Sequence, residues 1–359
     1  MTVRVAVEGP MSGAQSSTGL DMWRGAELLA NKINASGGVH GEHLQLVQID
    51  DQASPSKAAA AAHRAIGQHV VAVIGPYNSA VGVVNLPIYL QAGVVVVRLT
   101  SNHTTNGMGI TLQPMDYQVA PFEAAAVEKT PGAARVAIVY DTSTYTSGVA
   151  DQMRSLLTSS GVSVVTFQPF NSDQTQFNQI LTTVKGAQPN LVYYVAYDPQ
   201  AEDLVRQAAD LGVPGTCLVD GLAAQGPTFV ATVPLTLSRK CVFSGVPTAT
   251  QFPDAKSYVS SYDATFHRAP GTWGVFAYDS LGVLVEEAKS VGSWTPSKLN
   301  PALLHVSGYR GATGITMIDP TTGNRLDPPL VMQIVDSSGH YVVAPEWAAH
   351  GSLPVLPSL

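Results

Sequence analysis

Two apolar, mostly β-branched runs, VVAVI at 70–74 and VVVV at 94–97, constrain this chain more than any other feature. A strand with no polar face must be covered on both sides, which in water means helices packed above and below a parallel sheet. The flanking pattern agrees. Strands are predicted over 3–8 and 44–50, and helices over 20–36, 55–68 and 81–91. The first helix ends at Gly37-Gly38, a left-handed cap signal, and the second opens on Ser54-Pro55, an N-cap followed by proline in the first turn. Strands alternating with helices fold as right-handed βαβ units.

After a looser stretch over 100–117 and a helix over 120–129, the pattern starts again. Strands are predicted over 135–140, 163–167, 191–196, 217–219 and 241–246, and helices over 148–160, 177–185 and 201–211. A chain of 359 residues exceeds one ordinary core. The fold class expected is therefore α/β, with two doubly wound parallel-sheet lobes. The remainder holds helices over 255–266, 274–291 and 296–306 and strands over 314–318 and 330–335, too little for a third lobe. No low-complexity linker separates the halves, which suits several short crossovers better than one tether.

Composition removes several function classes. A net charge of −7 leaves no basic face for nucleic acid. No apolar run reaches the roughly 18 residues that span a bilayer. The nine histidines show no HExxH or similar spacing, so neither metal nor cofactor is expected. GxSxG, GxGxxG and GxxxxGK[ST] are all missing, and Ser79 has no evident base nearby, which argues against an enzyme. Cys217 and Cys241 open short strands expected to be consecutive; a disulfide between neighbouring strands and a pair of buried thiols are both compatible with that. The opening MTVRVAVEGPMSG already reads as a strand, with no signal peptide or lipid-attachment cysteine ahead of it. The expectation is an extracytoplasmic protein whose export signal is absent from this chain, with a cytoplasmic location as the other possibility.

Ligands of open parallel sheets bind outside the carboxyl ends of the strands. Those ends carry Met11-Ser12-Gly13, Tyr77-Asn78-Ser79 and Thr100-Ser101-Asn102 in the first half, and Thr144-Tyr145-Thr146, Tyr197-Asp198 and Asp220-Gly221 in the second. Ser79 is delivered to the start of a helix, where a hydroxyl beside free amides can take a carboxylate without Arg or Lys. Tyrosines and Asp220 would suit a cation, so the two sets complement a zwitterionic amino acid. Simpler roles exist for each: Ser79 as an N-cap, Tyr145 and Tyr197 as rim packing, Asp220 and Asp141 as turn residues, and Arg98 as an internal salt bridge. Trp273 and Phe276 open a helix whose later spacing is core-like.

Four stretches carry a resemblance to a known family: MSG…RGAELLANKINASGGVHGEHLQLVQIDDQASPSKA, VIGPYNSA, VYYVAYDPQAEDLVRQAADLGV and FAYDSLGVLVEEA. Together they resemble the type I periplasmic binding proteins of the Leu/Ile/Val-binding class, the solute receptors of ABC importers. The resemblance implies two lobes joined by three crossovers, 1–119 with 249–327 and 120–248 with 328–359, closing on a ligand. It further implies a monomer that meets an ABC permease in the membrane, with a branched-chain or related amino acid, or a small carboxylate, as ligand. The family's carboxylate-binding serine falls on Ser79, beside Asn78, with Thr100 and Asn102 in its second carboxylate-binding segment. Its lobe-two tyrosines fall on Tyr145 and Tyr197, the acid that receives the ligand ammonium on Asp220, and the side-chain wall on Thr18, Tyr77 and Phe276. Asn102, Thr18, the Arg98-Leu99 pair and Asp220 depart from the usual residues, and a small residue at 18 with a large one at 77 reshapes the apolar end.

Overall fold

The computed structural model describes residues 2–224 and 226–359. The chain divides into two compact units, Met1–Met115 with Pro247–Pro329 and Asp116–Val246 with Leu330–Leu359, and so passes between them three times.

The first unit holds a parallel sheet in the order β2-β1-β3-β4, built from β1 (Thr2–Gly9), β2 (His43–Asp50), β3 (Ala72–Ile74) and β4 (Val95–Val97). Helices α1 (Ser16–Ala35), α2 (Pro55–Gly67) and α3 (Ser79–Gln91) connect them. The two apolar runs supply β3 and β4, every residue of which is buried. Ala61, Ala62 and Ala65 of α2 pack with Ile49, Val73, Leu86 and Val96 in one core. Alanines on that face let the helix lie close to the sheet, and close packing is what protein cores require.

The unit's second segment adds helices Lys256–Phe266, Gly274–Val291 and Pro296–Leu304 and an antiparallel hairpin of strands Ser307–Gly311 and Gly314–Met317. The hairpin's first strand, SGYRG, is half exposed and lacks apolar alternation, so its sequence gave no strand signal. Helix α1 meets helix Gly274–Val291 at Gly25, where an added Cβ would run into the Gly274 carbonyl. Two buried arginines tie the hairpin end of the segment to the rest of the unit. Arg98 binds Asn324 Oδ1, the Thr322 carbonyl at 3.3 Å and the Thr100 carbonyl at 3.5 Å. Arg325 binds the carbonyls of Leu112, Thr313 and Ile315. Arg98 thus works inside the fold, with carbonyl and amide oxygens among its partners.

The second unit opens on α4 (Asp116–Glu128) and continues through β5 (Arg135–Asp141), α5 (Thr144–Ser159), β6 (Ser163–Phe170), α6 (Asn178–Gly186), β7 (Leu191–Val195), α7 (Gln200–Leu211), β8 (Thr216–Asp220) and β9 (Cys241–Gly245). These five strands are parallel in the order β9-β8-β7-β5-β6, and strands Val331–Val335 and Tyr341–Val343 extend the β9 edge antiparallel. Helix α5 starts four residues ahead of the predicted 148, so Tyr145 lies in its first turn. Gly148 inside this helix is a poor helix residue, but tertiary packing overrides propensities of about 1 kcal/mol. Among the described residues no helix is long and apolar enough to cross a membrane.

Cys217 and Cys241 are direct register partners on β8 and β9 and are joined in a buried disulfide, which decides between the two sequence readings. The bond closes a loop with a sequence separation of 24, for which loss of chain entropy in the unfolded state is worth about 3 kcal/mol. Replacing both cysteines by serine should lower the unfolding free energy by about that amount in denaturant titrations, and reductant should then leave the variant's midpoint unchanged while lowering that of the wild type.

Candidate functional site

The first unit gathers its candidates where β3 runs into α3. Asn78 stands at the N-cap position of α3 in extended conformation, yet no side chain caps the helix. Its Nδ2 donates to Gln15 Oε1 at 3.0 Å instead. The Asn78 carbonyl accepts the amides of Val81 and Gly82. The amides of Ser79 and Ala80 have no acceptor among the described residues. Ser79 is buried, and its Oγ accepts the amides of Ser101 (3.2 Å) and Asn102 (3.1 Å). A hydroxyl has two lone pairs and one proton. With both lone pairs engaged, the Ser79 proton is what remains to be donated.

The Ser101 and Asn102 amides face Ser79, and Ser101 Oγ accepts from Gln113 Nε2 at 2.8 Å. Thr100 Oγ1 pairs with Thr105 Oγ1 at 2.8 Å, and Asn102 Oδ1 caps the following turn by accepting from the Thr104 amide and hydroxyl. Thr18 is half-buried in the first turn of α1. Tyr77 packs on Trp273 with ring centroids 5.3 Å apart, and Trp273 on Phe276 at 5.5 Å. Phe276 has no exposed surface and also packs on Phe252. Trp273 therefore separates Phe276 from Tyr77 in this aromatic row.

Asp21 and Glu8 are among the buried carboxylates of this unit that escaped the sequence reading. Asp21 on α1 accepts from Tyr262 Oη (2.8 Å) and from the amides of Gly271, Trp273 and Gly274. It thereby holds the turn that presents Trp273. Glu8, next to the end of β1, accepts from Asn85 Nδ2 (2.7 Å) and Tyr89 Oη (2.8 Å). Burial, with Asp51 nearby, pushes the Glu8 carboxyl up to about 8 and burial pushes Asp51 up to about 7. A lone Glu closing the apolar strand VRVAVEG was the available signal for the first of these.

In the second unit Asp220 ends β8 with no exposed surface. Its Oδ1 accepts the Leu222 amide at 2.8 Å and Tyr145 Oη at 3.4 Å. Its Oδ2 is buried and has no partner. Asp220 thus serves its turn with one oxygen and leaves the other open. Burial raises its carboxyl to about 6, against the opposing pull of Tyr145 and the Leu222 and Ala223 amides. Tyr145 is buried, and the Tyr197 ring lies 6.3 Å from it. The Tyr197 amide donates to Asp141 Oδ2 at 3.3 Å, while Asp141 Oδ1 takes the Ser143 amide and the Thr146 hydroxyl. Asp141 is therefore a buried brace for the ends of β5 and β7. Glu123 on α4, also unforeseen, accepts from the hydroxyls of Tyr193 and Ser244.

A family model described as "Periplasmic binding protein" matches residues 2–340. The chain belongs to the periplasmic binding protein family. Among its relatives is an amino acid binding protein of Pseudomonas aeruginosa, 29% identical over 310 residues, covering 82% of this chain and 80% of that one. A leucine binding protein from Thermotoga maritima superposes with a TM-score of 0.87 at 26% identity, over 95% of this chain and 97% of that one. A solute binding protein of an R. palustris ABC transporter, solved with benzoate, shares the fold at a TM-score of 0.85 and 17% identity, over 100% and 98% of the two chains.

For this periplasmic binding protein the Glu8 cluster yields a pH dependence. An acid whose folded pKa is raised contributes most below its unfolded pKa, and that contribution is lost as pH rises through the folded value. The wild type should therefore lose stability between about pH 4.5 and 8, at up to about 1.4 kcal/mol per pH unit from this group. Glu8→Gln should flatten that slope in thermal melts, matching the wild type near pH 4.5 and melting above it at pH 8.

Proposed function

We propose that this protein is the extracytoplasmic solute-binding receptor of an ABC importer, taking an amino acid or a related small carboxylate and handing it to a membrane permease. The ligand carboxylate rests on the uncapped start of α3, where the Ser79 and Ala80 amides and the Ser79 hydroxyl proton are the donors. Its ammonium meets Asp220, with Tyr145 and Tyr197 beside it, and its side chain meets Tyr77, Trp273 and Thr18. Asn78, Thr100 and Asn102 hold that carboxylate pocket in shape. A ligand engaging both units draws them together, because it binds the closed arrangement better than the open one.

The observation that carries this reading is the pairing of opposites at the strand ends. One unit has helix-start amides without acceptors, and the other has a buried carboxylate oxygen without a donor. Buried polar atoms are almost always satisfied, so such vacancies favour a ligand that fills them. The relatives that bind amino acids support the same class. Catalysis finds no support here: the Ser79 hydroxyl is bonded to two amides and to no base. The disulfide suits an oxidising compartment, which favours a receptor over a cytoplasmic amide or amino-acid sensor of the same fold.

Titration calorimetry against amino acids and small carboxylates should find a ligand with a dissociation constant on the order of micromolar, about 8 kcal/mol. A broad panel without any binder removes the receptor reading. Ser79→Ala should weaken that ligand by about 1–3 kcal/mol, the value of a hydrogen bond to a charged group; unchanged affinity takes Ser79 out of the site. Asp220→Asn should cost an amino acid far more than its deaminated analogue, and equal losses would separate Asp220 from the amine.

A further inference from the structure

Glu123 is a carboxyl group that none of the proposed ligand contacts uses. It lies on α4 with no exposed surface, and its oxygens accept from Tyr193 on β7 and Ser244 on β9. Ser244 is the cross-strand partner of Asp220, so the two acids share one face of the sheet. Asp141, at the end of β5, is the third carboxylate of the group. What faces them from the neighbouring elements is uncharged: Tyr145 from α5, Tyr193 from β7, Ser244 from β9, and the amides of Ser143, Tyr197 and Leu222. Among the described residues no Lys, Arg or His bonds or ion-pairs with Glu123, Asp141 or Asp220. Buried carboxylates are normally paired with a cation, and this group lacks one.

We propose that Glu123 and Asp220 act as a proton-holding pair whose proton is exchanged for the ammonium group of the ligand, so that the site selects amino acids over acids that lack the amine. The proposal rests on the receptor reading above and narrows its ligand class. Both oxygens of Glu123 are engaged, whereas Asp220 offers one open oxygen; the pair therefore takes a single cation, and Glu123 acts through Asp220 without touching the ligand. Burial, reinforced by the charge of Asp220, holds the Glu123 carboxyl well above the usual carboxylate range. Such a pair releases its protons in steps that belong to both groups. An arriving ammonium takes the place of the shared proton, which leaves to solvent. A ligand without a cation needs Asp220 itself to be protonated, and keeping a proton on this group of pKa about 6 costs tenfold in affinity for each pH unit above that value.

The test is a set of thermal melts of the wild type and Glu123→Gln from pH 5.5 to 8.5. Each is run alone and with L-leucine, L-phenylalanine, 4-methylpentanoate, 3-phenylpropanoate or benzoate. For the wild type, stabilisation by the amino acids should grow with pH, and stabilisation by the three amine-free acids should be small and shrink. Glu123→Gln should flatten the growth for amino acids and, without ligand, melt above the wild type at pH 8. Amine-free acids that stabilise the wild type as strongly as the amino acids would overturn the proposal, as would pH profiles unchanged in the variant. If no compound stabilises the wild type, the receptor reading fails for these ligands, and the ligand-free melts still decide whether Glu123 holds a proton. Ser244→Ala, which removes one donor from the same carboxyl, provides a second variant and should shift the wild-type profile to higher pH.

Discussion

Asp21 joins two stretches of chain that segment Asp116–Val246 of the second unit separates in sequence. From α1 its carboxylate collects the Tyr262 hydroxyl and three amides of the turn 271–274. Two of those amides lie at the start of helix Gly274–Val291, where a negative charge is stabilised by unpaired N–H groups and the helix dipole. Four donors to one buried acid make this contact costly to break, since an unpaired charge in the interior is far worse than an exposed one. The Gly25–Gly274 approach then becomes possible, and Trp273 is held against Tyr77. The candidate half-site of this unit is thus built on a contact made elsewhere in it.

Within each unit, acids and hydroxyls gather at the strand ends for a simple reason. Parallel strands covered on both faces leave no room for polar side chains along their length. Their carboxyl ends, beside helix starts, are where acids and hydroxyls can find amide donors. Glu8, Asp50, Asp141 and Asp220 all lie at or next to the last residue of their strands. Most of them are satisfied by neighbouring amides or hydroxyls, and the exception is the open oxygen of Asp220.

The layered architecture was legible because it rests on local signals: apolar runs for the strands, and Ser54-Pro55 and Gly37-Gly38 for helix ends. Strands Ser307–Gly311 and Tyr341–Val343 were not, since both are half exposed and short, and pairing with neighbours alone defines them. At the candidate site the positions of Ser79, Tyr145 and Asp220 followed from strand ends. The inward turn of the Thr100 and Asn102 side chains did not, because it depends on Thr104 and Thr105 folding back over them. Glu123 gave no sign at all. In the run FEAAAVEK it reads as a solvated helix residue, and only the tertiary fold reveals that its face is covered.

The covalent link between β8 and β9 has a mechanical meaning for the acid it neighbours. Asp220 lies three residues beyond Cys217, and the chain that follows it must return to Cys241 before the sheet continues. Fraying that begins at the outer strands Tyr341–Val343 and Val331–Val335 reaches β9 first and is stopped there by a bond that thermal motion cannot open. The open carboxylate oxygen therefore stands on the stiffened side of that seam, kept in place whether or not a guest is present.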